Sequence, residues 1–132
     1  MYFLTETLEP SRSLIGNDGW ESTDTDILAI HDYDTQLQQL VHRYGPEVKL
    51  SDLFEGKRPG GCILTLNNFP HQGQPIILTE FGGIAYAPAT QPEAHKAWGY
   101  ERCWNISELE MKYAGLLETV NNIELFSGFR YT

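Results

Sequence analysis

Glu80 ends the apolar run Ile76-Ile77-Leu78-Thr79 and is followed by Phe81-Gly82-Gly83. A carboxylate there loses hydration unless it is partnered, and a partnered carboxylate can serve as a nucleophile or as a general acid or base. The two glycines remove side chains where a ligand would need close approach to the backbone. Three other apolar runs end in polar residues in the same manner. Ser13-Leu14-Ile15-Gly16 leads into Asn17-Asp18, Ile27-Leu28-Ala29-Ile30 into His31-Asp32-Tyr33, and the run at 125–129 into Arg130-Tyr131. The bland alternative is a surface glutamate at a strand end. Four endings of one kind argue against it.

Other chemistries find no comparable pattern. His31, His42, His71 and His95 lack the ligand spacing of a metal helix such as HExxH, so no metal is expected. There is no GxSxG elbow. Gly82-Gly83 lacks the lysine and helix start of a phosphate loop, and no cofactor is expected.

The elements that carry these endings follow from periodicity. Phe3, Leu4, Thr7 and Leu8 recur at helical spacing before Pro10, which predicts a helix over 1–9, one that begins without a capping signal, as an element cut from a longer one would. Strands are expected at 13–16, 27–30, 76–79 and 125–129. Leu37, Leu40, Val41 and Tyr44 predict a helix capped by Asp34 and stopped by Gly45-Pro46. A short helix is expected around 50–54, in the irregular, Gly- and Pro-rich stretch 46–74. A long loop is expected over 84–106. Ser107 and Glu110 form a capping box for a helix whose core face is Leu109, Tyr113, Leu116, Leu117 and Val120. Strand and helix alternate, so the fold class is α/β with a parallel sheet and crossover helices. The polar endings then share the C-terminal edge of that sheet, the catalytic face of a barrel or the ligand crevice of an open sheet.

Composition narrows the partners. The 132 residues suit one domain, 1–132, and 9 basic against 18 acidic residues leave a net charge of −9. Such a surface repels phosphate backbones and anionic lipid heads, so neither nucleic acid nor membrane is expected. Residues 1–9 lack the pattern of a secretion signal, and Cys62 and Cys103 are read as reduced thiols; both readings favour a cytoplasmic setting.

Several segments carry a resemblance. Asn17-Asp18-Gly19-Trp20-Glu21, Thr25-Asp26-Ile27 through Ile30-His31-Asp32-Tyr33, and Pro75 through Gly83 resemble the later barrel strands of glycoside hydrolase family 2, the group of β-galactosidases, β-glucuronidases and β-mannosidases. The ending Phe126-Ser127-Gly128-Phe129-Arg130-Tyr131-Thr132 is similar to the family's last barrel strand. The resemblance runs the length of the chain in the family's order. It implies the C-terminal half of a (β/α)8 TIM barrel, roughly strands five to eight, because a closed barrel needs about 250 residues. It further implies that Glu80 is the nucleophile of a retaining β-glycosidase and that Tyr33 orients it. Asn17, Asp18, Trp20, Glu21, His31, Asp32, Trp98 and Tyr131 would bind substrate. Trp98, Gly99 and Tyr100 fit either a sugar rim or packing beneath the long loop, and Trp104 fits packing. The family's acid/base glutamate follows an asparagine, and this chain contains no Asn-Glu pair. The isolated chain is therefore expected to be inactive or nearly so. A half-barrel has unpaired edges, so self-association or pairing with the missing half is expected. The rival readings are a non-catalytic carbohydrate-binding module using Trp20, Tyr33 and Tyr131, and a structural remnant with no ligand.

Overall fold

The computed structural model describes residues 2–57, 61–88 and 99–132. Its elements in chain order are α1 (Tyr2–Leu8), β1 (Leu28–Asp32), α2 (Leu37–Tyr44), α3 (Leu50–Glu55), β2 (Ile76–Phe81), β3 (Ile84–Tyr86), β4 (Glu101–Cys103), α4 (Ile106–Asn121) and β5 (Gly128–Tyr131). The strands β1, β2 and β5 form a parallel sheet in that order, with β2 central. A parallel neighbour cannot be reached by a tight turn, which is why helices and long excursions separate these strands in sequence. A second, two-stranded parallel sheet joins β3 to β4. Among the described residues, no helix is long and apolar enough to cross a membrane.

The core lies between one face of the sheet and the helices. Leu28 and Ile30 of β1 and Ile76, Leu78 and Phe81 of β2 pack with Leu40 and Tyr44 of α2, Leu53 of α3, and Leu116 and Val120 of α4. Side chains in a strand alternate between faces. The residues of opposite parity in β1, Ala29 and His31, therefore turn to the other face, as does Tyr33 just beyond.

Four expectations are corrected. Residues 13–16 form no strand: the Leu14 amide donates to Asp26 Oδ2 at 2.8 Å and the Gly16 amide to Thr25 Oγ1 at 3.0 Å, so side chains take the bonds a ladder would need. Asp34 does not cap α2, whose cap position is Gln36. One Asp34 oxygen accepts the Gln36 amide and the other an Arg43 guanidinium N–H at 2.8 Å. The capping box of α4 falls two residues earlier. Asn105 Oδ1 accepts from the Glu108 amide at 2.9 Å, and Glu108 reaches back to the Trp104 amide at 3.0 Å. The expected loop over 84–106 holds β3 and β4, whose three-residue lengths leave no periodicity to read.

β2 is followed by Gly82, which has a φ of +86°, and a Cβ there would stand 2.3 Å from the Tyr131 ring. Gly73 has a similar φ of +93° but open space around it. Gly73→Ala should thus cost only the left-handed backbone penalty of about 1 kcal/mol. Gly82→Ala should cost at least about 1 kcal/mol more through the ring clash, as read by urea denaturation of the two variants. Equal costs would mean that the Tyr131 ring is free to give way.

Candidate active site at the strand ends

The site is assembled by a defect in the ladder between β1 and β2. Ile30 pairs with Leu78, but His31 pairs with Glu80, so Thr79 is passed over and the register shifts. A bulge of this kind re-aims side chains that strict alternation would separate. Thr79, 7% exposed, donates from Oγ1 to Asp18 Oδ1 at 2.5 Å. Glu80 meets the residues that turn away from the core.

The Glu80 carboxylate is three-quarters buried and both oxygens are engaged. Oε2 accepts the Tyr33 hydroxyl proton and lies 3.8 Å from His31 Nδ1. Oε1 lies 3.4 Å from an Arg130 guanidinium nitrogen, and Arg130 is steadied by donating from Nε to the Thr79 carbonyl at 3.1 Å. Burial, and then the hydrogen bond to Glu80, push the Tyr33 phenol well above its usual value, so it remains a proton donor at any ordinary pH. The His31 ring is nine-tenths buried. Its Nε2 stands 3.1 Å from Asp18 Oδ1 without a hydrogen bond between them. Trp20 meets the His31 ring edge-on at 5.1 Å. Gly19 permits this approach: its φ is +97°, and a Cβ there would stand 2.6 Å from the imidazole.

Beside this cluster lies a cleft of about 540 Å³ lined by Trp20, His31, Asp32, Tyr33, Asp34, Cys62 and Tyr100. Tyr100 stacks on Tyr33 with ring centroids 4.2 Å apart and planes 13° from parallel. Other hollows, of about 330 and 790 Å³, lie against α3 and touch none of the residues around Glu80. The cleft is of the size and mixed aromatic–polar lining that suits a small organic ligand.

The structure thus gathers Glu80, Tyr33, His31, Asp18 and Trp20. It does not gather the rest. Tyr131 turns to the helix side, where its ring meets Phe81 at 5.4 Å and Tyr113 at 4.7 Å. Alternation in β5 sets Phe129 and Tyr131 on one face and gives the Glu80 face to Arg130. The Asp32 carboxylate is fully buried on the core side, where Tyr44 donates to it at 2.7 Å and Arg43 Nε stands 2.8 Å away. Asn17 closes a turn by donating from its amide to the Trp20 carbonyl at 2.6 Å. Glu21 is exposed, with a φ of +52°. Trp98 lies outside the described residues. Thr79, Cys62 and Arg130 enter as site residues that the sequence did not single out, and Tyr100, which fitted either a sugar rim or packing, lines the cleft.

Asp18, His31 and Glu80 each offer a ligand atom within 4.8 Å of the others, a grouping with no recognisable spacing in sequence. A cation there would have to displace the Tyr33 hydroxyl or stand beside the Arg130 guanidinium. The Arg130 guanidinium already stands 3.4 Å from the Glu80 carboxylate. No family model and no curated protein matches the chain.

Proposed function

We propose that this chain supplies the nucleophile side of a retaining β-glycosidase site of the glycoside hydrolase family 2 type, built on the second half of a (β/α)8 barrel. One observation carries the reading. The strand-end carboxylate of Glu80 is oriented by the hydroxyl of Tyr33, a residue that lines the adjacent aromatic cleft. That is the arrangement a glycosyl-transferring carboxylate requires. Tyr33 and Arg130 aim Glu80, and one Glu80 oxygen attacks the anomeric carbon as the bond to the leaving oxygen breaks. Water then cleaves the glycosyl ester, which returns the carboxylate and releases the sugar. The leaving oxygen needs a proton, and the chain has no Asn-Glu pair to supply the family's acid. General acid assistance is worth about 10²–10⁴-fold, so ordinary glycosides turn over slowly on the chain alone. The edges of β1 and β5 support association with a complementary half-barrel or with a second copy.

The test removes the need for the acid. A 2-deoxy-2-fluoro-β-glycosyl fluoride leaves as fluoride without a proton, and its glycosyl ester is long-lived. Incubation with a gluco, galacto, manno and glucurono series should give one covalent adduct by intact mass, mapped by peptide sequencing to Glu80. Adduct on another carboxylate, or none with any sugar, rejects the assignment. Tyr33→Phe should slow adduct formation by about 10–100-fold, the worth of a hydrogen bond to a charged group.

A second reading, carbohydrate binding without turnover, draws on the aromatic lining of the same cleft. Trp20, Tyr33 and Tyr100 would stack on sugar rings, with Tyr100 standing where Tyr131 had been expected. It forecasts sugar binding by calorimetry with no adduct at Glu80.

A further inference from the structure

We propose that Tyr100 is a positioning residue for the nucleophile, its ring holding Tyr33 in the orientation from which the Tyr33 hydroxyl reaches Glu80. The kinetic consequence rests on the glycosidase reading; the structural one rests on geometry alone.

Tyr33 leaves the end of β1, and its hydroxyl sits at the far end of the ring from the backbone. The hydrogen bond to Glu80 therefore depends on ring orientation. Tyr100 lies parallel to that ring at 4.2 Å between centroids. Its own anchor comes from the opposite side. The Tyr100 amide donates to the Gly83 carbonyl at 2.9 Å, and the next residue, Glu101, pairs with Ile84 as β4 meets β3. Gly83, at a φ of +64°, makes the seat: a Cβ there would stand 2.7 Å from Tyr100 Cδ2. The segment that carries the nucleophile thus also carries, three residues on, the seat for the ring that braces the nucleophile's donor. Tyr100 remains 55% exposed and lines the cleft. An aromatic there only to fill the core would be buried.

The experiment uses the full chain with 13C-labelled tyrosine, the Tyr33 Cζ resonance being assigned by its loss in Tyr33→Phe. At neutral pH, Tyr100→Leu should move that resonance toward the position it takes in Glu80→Gln. It should also lower the saturating rate of fluorosugar labelling roughly three- to tenfold, the worth of one aromatic pair, with half-saturation unchanged. Tyr100→Phe keeps the ring and should leave the Tyr33 resonance where it stands in the unsubstituted protein. In a Tyr33→Phe background, Tyr100→Leu should add nothing further, because the brace then has no hydroxyl to aim. Should Tyr100→Leu not fold, Gly83→Ala, which displaces the ring by contact, carries the same expectations. An unmoved Tyr33 resonance overturns the proposal. So does a change confined to half-saturation, which would make Tyr100 a wall of the cleft. Failure of the unsubstituted protein to label counts against the glycosidase reading alone, and the resonance then decides whether Tyr100 braces Tyr33.

Discussion

Glu80→Gln is expected to abolish the glycosyl adduct, with labelling slowed on the order of 10⁴-fold or more. The amide is nearly the size of the carboxylate, so its effect on packing is small. What it removes is the attacking oxygen and the negative charge between Arg130 and His31. Neither interaction is a short, buried pair: Arg130 is 66% exposed and 3.4 Å away, and His31 Nδ1 is 3.8 Å away. Partly exposed charge pairs contribute about 0–1 kcal/mol. Glu80→Gln should therefore unfold in urea within about 1 kcal/mol of the unsubstituted protein while losing its chemistry. Loss of stability without loss of labelling would make Glu80 a structural counter-ion and end the glycosidase reading. Glu80→Ala with added azide gives a second readout. Azide in the space left by the side chain should attack the opposite face of the sugar and release an α-glycosyl azide from the β-fluoride donor, a product that a mere binding cleft has no means of making.

What was legible in the sequence was whatever a single strand or helix dictates by itself. The run Ile76-Ile77-Leu78-Thr79 marks a strand buried on both faces, and Glu80 directly after it sits at the sheet's C-terminal edge in the structure. The face Leu116–Val120 of α4 likewise follows from helical spacing. Parity was legible too, and it bears on two residues that had been expected to bind substrate. Asp32 shares parity with Leu28 and Ile30, so a straight strand sends it to the core; Tyr131 shares parity with Phe129, which leaves the site face to Arg130. The bulge at Thr79 was not legible, because it depends on the register of two strands 48 residues apart at Ile30 and Leu78. Nor was the β3–β4 pair, where Tyr100 owes its place to Gly83 and not to any pattern around itself. Residues 13–16 read as a strand because their apolar character is visible and the competition from Asp26 and Thr25 for their amides is not.

Asp32→Asn is the substitution expected to cost the most stability, about 3 kcal/mol in urea denaturation. The Asp32 carboxylate is wholly buried, and the Arg43 guanidinium beside it is only 19% exposed. Removing one charge of such a pair leaves the other with its desolvation uncompensated, which is why the loss exceeds the worth of the contact itself. Asp34 moderates the effect by holding Arg43 at 2.8 Å. Burial alone would raise the Asp34 pKa, but the Arg43 hydrogen bond and the Gln36 amide outweigh it and hold the carboxyl below its usual value. The stability Asp34 contributes is accordingly present at neutral pH and lost as pH falls through its lowered pKa. Asp34→Asn, removing a more exposed partner, should cost less than Asp32→Asn. Arg43→Met combined with Asp32→Asn should cost less than the two single changes added together, since the double variant leaves only the more exposed Asp34 carboxylate without its partner. The same variants decide what Asp32 does for the site. Its carboxylate faces Tyr44 and Arg43, so Asp32→Asn should leave the fluorosugar concentration for half-saturation unchanged in the folded fraction. A large rise in that concentration would place Asp32 among the groups that touch the sugar and require the Arg43 pair to open on binding.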